Sequence, residues 1–415
     1  MKKWWYILLM LLPLLPACEL VDFGEPILMG EADPYAATLC RLEVSLDYPE
    51  GTGAAEGVAV QAEDVNLGSR YATATDASGT AVFTLPTGLY RFSVSEIRDE
   101  DIFNGSKDNV ALNGPGRVSV ALNHSRTGKL VFKEIYCGGC MMTPKEGTYQ
   151  SDKYLIIHNN YHEVQYLDGL CVGTIFPYNS TANNPFLTFN FETYELELPD
   201  FLPIAQAVWQ FGGDGTSFPL EPGADAVVCL CGAIDHAAMY PLSVNLDKED
   251  YFVCYNPTFF YNTIYHPAPG PHIAAERHLD LLMKLGQANA YTFSVNSPVA
   301  VLYHAPEGMT MAEYLQTADA VVQVPGSYRD KAVVVRPEWV IDAVEVFNGA
   351  SSSNAKRLSA SLDAGYVTLA GTYLGHSLMR RTDEALSALV GYEVLADTNN
   401  SSADFYERET QSLHE

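Results

Sequence analysis

Cys137-Gly138-Gly139-Cys140-Met141-Met142 is the string in this 415-residue sequence whose side chains could do chemistry. Two thiolates and two thioethers on a glycine-containing loop are soft donors of the kind that hold Cu(I). The same Cys-x-x-Cys spacing could cycle between dithiol and disulfide. Zinc would need a second pair of ligands, and no further Cys-x-x-Cys or His-x-x-x-His follows at suitable spacing. A loop disulfide or two unrelated thiols are the alternatives. The metal ligands are thus unassigned, with Cys137, Cys140, Met141 and Met142 as candidates, and no cofactor is expected.

Other polar groups read as structure before chemistry. His266, His272 and His278 recur every six residues, which puts them on no common helix face, and His158 and His162 flank a turn. Asp397-Thr398-Asn399-Asn400-Ser401, with Asp404, gathers oxygens but lacks the glycine and later glutamate of an EF-hand loop. A turn whose Asx side chains bond their own backbone is expected there. Asp214, in Gly212-Gly213-Asp214-Gly215-Thr216, reads the same way. No Gly-x-Ser-x-Gly elbow, His-Glu-x-x-His pair or phosphate loop occurs, so no catalytic residue is assigned. Tyr251, Phe252, Tyr255, Phe259, Phe260, Tyr261 and Tyr265 crowd one stretch. Most belong in a core; a few on loops could stack on sugars or meet a partner protein.

The elements that must position these groups are mainly strands. Leu42, Val44 and Leu46 alternate with polar neighbours, as do Val58, Val60 and Ala62. Ala81, Phe83 and Leu85 run into a Pro86-Thr87-Gly88 turn, then Tyr90, Phe92 and Val94, and later Val118, Val120 and Leu122. Period-two alternation broken by turn residues predicts a small β-sandwich over 38–126. A second β domain is expected over 129–415, with strands at 129–136, 154–160, 164–173 and 226–231. It carries an insertion at about 240–330. Ala274, Leu279, Leu281, Leu282 and Leu285 predict a helix over 273–287 inside that insertion, and 310–317 a shorter one.

Two residue strings carry family resemblances. Thr75-Asp76-Ala77-Ser78-Gly79, an alternating strand, then Pro86-Thr87-Gly88-Leu89-Tyr90, resembles the carboxypeptidase-regulatory-like (prealbumin-like) sandwiches. That implies a stalk or accessory module without activity. Asn159, the Leu167-x-Gly169 turn, Phe218-Pro219-Leu220-Glu221-Pro222-Gly223 and the closing Ser377-Leu378-Met379-Arg380 resemble the lamin-tail immunoglobulin-like sandwich. The whole chain resembles an uncharacterised family of bacterial surface lipoproteins with a domain of unknown function. That resemblance implies a setting beside TonB-dependent outer-membrane transporters.

The start of the chain says where it acts. Lys2 and Lys3 precede an apolar run over 4–15, shorter than the roughly 20 residues needed to span a bilayer. This is the pattern of a secretory signal over 1–17. Leu15-Pro16-Ala17-Cys18 resembles the lipobox of bacterial lipoproteins, which implies lipidation of Cys18 and anchoring in the outer membrane. Each buried acyl methylene contributes about 0.8 kcal/mol, so several chains hold almost permanently. The acidic 19–25 resembles a surface-export signal, which implies a cell-surface position facing the exterior, and 18–37 reads as a tether.

Fifty-one acidic against 24 basic residues leave a formal charge of -27. Such a field repels phosphate backbones, which argues against nucleic-acid binding. Beyond Cys18 the seven cysteines are odd in number, so at least one lacks an intramolecular partner. A non-enzymatic surface protein that binds a ligand or partner is the expected function. A surface hydrolase using loop carboxylates and a metal-uptake accessory are the alternatives.

Overall fold

Alternation along Leu39–Asp47 sends Cys40, Leu42, Val44 and Leu46 inward, and that strand organises the first sandwich. A computed structural model describes residues 38–98, 101–126 and 128–414. The expected signal sequence over 1–17, Cys18 and the expected tether over 18–37 lie outside the described residues. Leu39–Asp47 pairs antiparallel with Thr80–Pro86 and parallel with Gly116–Ala121. Facing this sheet is a five-stranded one, ordered Arg70–Ala74, Ala59–Asp64, Gly88–Arg98, Asp101–Leu112 and Asn123–Arg126. Phe83, Tyr90, Phe92 and Phe103 fill the space between them. The turn after Asp76 forms as its residues dictate. The Asp76 Oδ1 accepts from the Ser78 and Thr80 N–H groups, and Gly79 takes φ +75°.

Two larger sheets follow. One runs Phe252–Val253, Asp225–Cys229, Tyr154–Asn159, Leu130–Tyr136, Ser377–Arg380, Phe405–Arg408. The other is eight-stranded and centred on Leu202–Gln210, Cys171–Ile175, Val299–Tyr303 and Val340–Phe347. Along Val299–Tyr303, Ala300 and Leu302 enter the core between the sheets, while Val299, Val301 and Tyr303 enter a second core on the far face. Strands covered on both sides read as unbroken apolar runs. The chain is therefore mainly β and built from tandem sandwiches, as expected.

The stretch 240–330 is not an insertion. Val299–Tyr303 sits between Cys171–Ile175 and Val340–Phe347, in the middle of the large sheet. The helix predicted over 273–287 is also corrected. Asp280–Lys284 is a strand antiparallel to Leu202–Gln210. Leu279 enters one core and Leu285 the other; the run satisfies helical spacing by composition, but the neighbouring strand offers a ladder that a helix could not complete. The shorter segment does start a helix, Met311–Tyr314, with Thr310 and Glu313 forming a reciprocal cap of the kind that satisfies two terminal N–H groups.

Two buried arginines fix loops. Arg357 Nε donates to Glu345 Oε1 at 2.8 Å, and its remaining nitrogens donate to the carbonyls of Pro177, Ser297, Pro298 and Val346. Arg380 instead faces three carboxylates: Asp342 at 2.6 Å, Asp397 at 3.1 Å and Asp404 at 3.5 Å. Burial raises the Asp342 pKa, and raises that of Asp404 to about 7. The loop holding Asp397 and Asp404 docks the first sandwich. Its Thr398 carbonyl accepts from Ser95 Oγ at 2.9 Å and Asn104 Nδ2 at 2.7 Å.

Candidate functional site

A wide groove lies where the two sandwiches meet, and a polar hairpin builds one of its walls. Thr188–Asn190 pairs with Glu195–Glu197. At its tip the Asn190 Oδ1 accepts from the N–H groups of Glu192 and Thr193, and the Asn190 carbonyl accepts from Tyr194 N. This closure holds Tyr194 at φ +59°. A left-handed backbone costs an L-residue other than glycine or asparagine roughly 1–2 kcal/mol. Tyr194 is nevertheless 78% exposed, so core packing does not explain its place. The hairpin closure accounts for the backbone, and packing leaves the choice of an exposed aromatic there unaccounted for.

Around Tyr194 the groove encloses about 740 Å³, within the range of small-molecule sites. Lys107 of the first sandwich reaches Glu195 of the hairpin at 2.5 Å. Arg91 contacts Asp108 at 2.7 Å and lies 5.1 Å and 5.0 Å from the ring centres of Phe347 and Tyr366. Tyr366 donates to Glu63 across the same joint. The opposite wall, Asn354 to Ala360, includes Lys356, whose Nζ donates to the Asp363 carbonyl at 2.7 Å. Arg357 immobilises this wall from beneath. The groove thus offers one ring face, several amide and hydroxyl groups, and carboxylates already paired: Glu195 to Lys107, Asp108 to Arg91, Glu197 to Asn190 at 2.7 Å. A second cleft, of about 390 Å³, is lined by His124, Glu338, Asp342 and Asn399.

The string singled out for chemistry is split by burial. Cys137 is buried in the core between the two large sheets, and Cys140 is buried with its Sγ 3.6 Å from Asp152. Burial pushes each thiol up to about 12; beside Cys140 the Asp152 carboxylate adds to it. Met141 is exposed, so the sulfurs do not share one surface. All seven described cysteines are buried, and Cys137, Cys140, Cys171, Cys229, Cys231 and Cys254 are free thiols.

Among the described residues one cluster could hold a metal by ligand type, His158 with Asp225 and Glu393. The Lys133 ammonium already bridges both carboxylates at 2.6 Å. His158 uses Nδ1 on Asp225 and Nε2 on the Glu393 carbonyl. Burial opposes ionisation of Asp225, yet bonds from His158 and Lys133 hold its pKa below the usual value. The cluster is a satisfied ion-pair network.

The remaining sequence candidates serve turns and packing. His266 is buried, stacks on Tyr255 and is lowered to about 4 by burial. His272 pairs with Asp247 at 2.8 Å. Asp404 Oδ2 accepts from Thr398 N and Asn400 N, and Asp214 caps its own turn through Thr216 and Ser217. Of the crowded aromatics, Phe252 and Phe260 are core, while Phe259, Tyr261 and Tyr265 are exposed. Tyr194 was missed because nothing local in sequence marks a left-handed tyrosine.

With this geometry in hand, the chain can be set beside known proteins. Residues 221–412 match the family described as Protein of unknown function (DUF4876). The crystal structure of a DUF4876 family protein from Bacteroides thetaiotaomicron VPI-5482 aligns with 88% of this chain and 94% of its own, at 23% identity and a TM-score of 0.54. That likeness is one of fold. The match over 221–412 agrees with the expected resemblance to an uncharacterised family of unknown function. Putative polysaccharide binding proteins (DUF1812) from the same organism align over 29% of this chain and 76% of theirs, at 14% identity and a TM-score of 0.18. The major pilin SpaD from Corynebacterium diphtheriae aligns over 38% and 50%, at 12% and 0.18. Neither of these two carries weight. No curated protein matches the chain.

Proposed function

We propose that the chain is a non-enzymatic surface lipoprotein, fixed to the outer membrane through Cys18, that captures an oligosaccharide in the groove between its sandwiches. Tyr194 carries this reading: an exposed ring held in strained backbone at the edge of a polar groove is the arrangement that stacks on a sugar face while neighbouring amides bond its hydroxyls. The paired state of the groove's acids favours binding over hydrolysis. Screening the full chain against a glycan array should give a defined set of binders, with Tyr194→Ala weakened about tenfold or more. Equal binding by the variant to every glycan would falsify the proposal. A TonB-dependent transporter is the partner class expected in a pull-down from outer membranes. Cys18→Ala should move the chain into the soluble fraction.

A hydrolytic reading has one observation behind it. Asp342 lines the second cleft and holds a proton more tightly than a free carboxyl, as a general acid requires. Release of reducing ends from bound glycans, lost in Asp342→Asn, would favour that reading.

A further inference from the structure

Far from the groove in sequence, a cavity of about 200 Å³ is lined by Gln150, Ser151, Cys231, Tyr265, Ala290 and Thr292. Behind it lies Lys153, wholly buried. Its Nζ donates to the Phe293 carbonyl at 2.6 Å, Thr292 Oγ1 at 3.0 Å and Gln150 Oε1 at 3.4 Å. Three acceptors suit the three hydrogens of an ammonium, although burial pulls this amine's pKa down. None of the acceptors is charged. No carboxylate pairs with Lys153 among the described residues. Its neighbour Asp152 turns Oδ2 to Ser243 at 2.6 Å, Tyr136 at 2.9 Å and Cys140. The Asp152 charge favours the ammonium through space without touching it, and a buried charge with no counter-ion in contact is costly. Two residues that hold this one, Gln150 and Thr292, are themselves cavity wall. The Gln150 contact is long and half-buried, so it is the one a ligand can share.

We propose that this cavity binds a small organic carboxylate. Its anionic head would sit beside Gln150 and Thr292, over the ammonium, and its apolar body against Tyr265 and Ala290. A single cation suits a monoanion, and apolar walls suit a carbon body better than a hydrated inorganic ion. The site is separate from the groove and does not depend on the glycan reading.

Calorimetric titration of the full chain with sodium benzoate, benzyl alcohol and inorganic phosphate tests this. Benzoate should bind saturably, and about tenfold or more tightly than benzyl alcohol. Ala290→Trp, at a half-buried wall position, should abolish benzoate binding while the chain stays folded by circular dichroism. Lys153→Met should erase the preference for benzoate over benzyl alcohol. If that variant does not fold, Ala290→Trp still decides. Absence of saturable benzoate binding, equal binding of benzyl alcohol, tighter binding of phosphate, or unchanged benzoate affinity in Ala290→Trp would each overturn the proposal.

Discussion

Arg357 and Arg380 are both buried guanidiniums that hold loops, yet they are balanced differently. Arg357 meets one carboxylate, Glu345, and four carbonyls. Arg380 meets three carboxylates. The first set balances one guanidinium against one carboxylate. The second carries surplus negative charge away from water, so burial holds protons on it. One arginine locks the groove wall through a single ion pair and four carbonyls. The other ties the joint between sandwiches to proton concentration.

Three experiments break or sharpen that contrast. The largest effect is expected for Arg357→Met, which strands Glu345 in the interior. Breaking a buried pair this way costs about 3–5 kcal/mol, read as a lower urea midpoint. The next concerns Asp404. Its folded pKa lies near 7, above the usual value of 3.8, so the folded chain binds more protons than the unfolded chain between those values. Stability from this group is therefore full below about pH 4 and is lost as pH rises through 7. Urea midpoints of the parent should fall from pH 5 to pH 8, and those of Asp404→Asn should fall less. An equally steep fall in the variant would remove Asp404 from the account. The smallest effect is expected for Lys107→Ala. This exposed pair with Glu195 spans the same joint, and such pairs contribute about 0–1 kcal/mol. A larger loss would mean that the rim, rather than the buried loop, couples the sandwiches.

Legibility in sequence followed how each strand is covered. Leu39–Asp47, Thr80–Pro86 and Gly88–Arg98 have one wet face, and their alternation was readable residue by residue. Asp101–Leu112 was not, because its middle is Asn104-Gly105-Ser106-Lys107-Asp108. Gly105 is needed there: a Cβ would come within 2.5 Å of the Ala121 carbonyl oxygen. In the second sandwich, two-sided burial turned strands into apolar runs, and 279–285 satisfied helix and strand spacing alike. The site was still less legible. Tyr194, Lys107, Arg91 and Lys356 converge from four separate parts of the chain, and Lys153 gained meaning only once Thr292 and Phe293 were seen to hold it.

The pairing of Leu39–Asp47 with Gly116–Ala121 has a mechanical consequence. The two strands run parallel, one near the start of the described chain and the other near the exit to the second sandwich. Tension drawn in before residue 38 and resisted beyond residue 126 pulls them in opposite directions along their length. Their ladder bonds are then loaded together in shear rather than opened one at a time. Under such a load the first sandwich acts as a clamp.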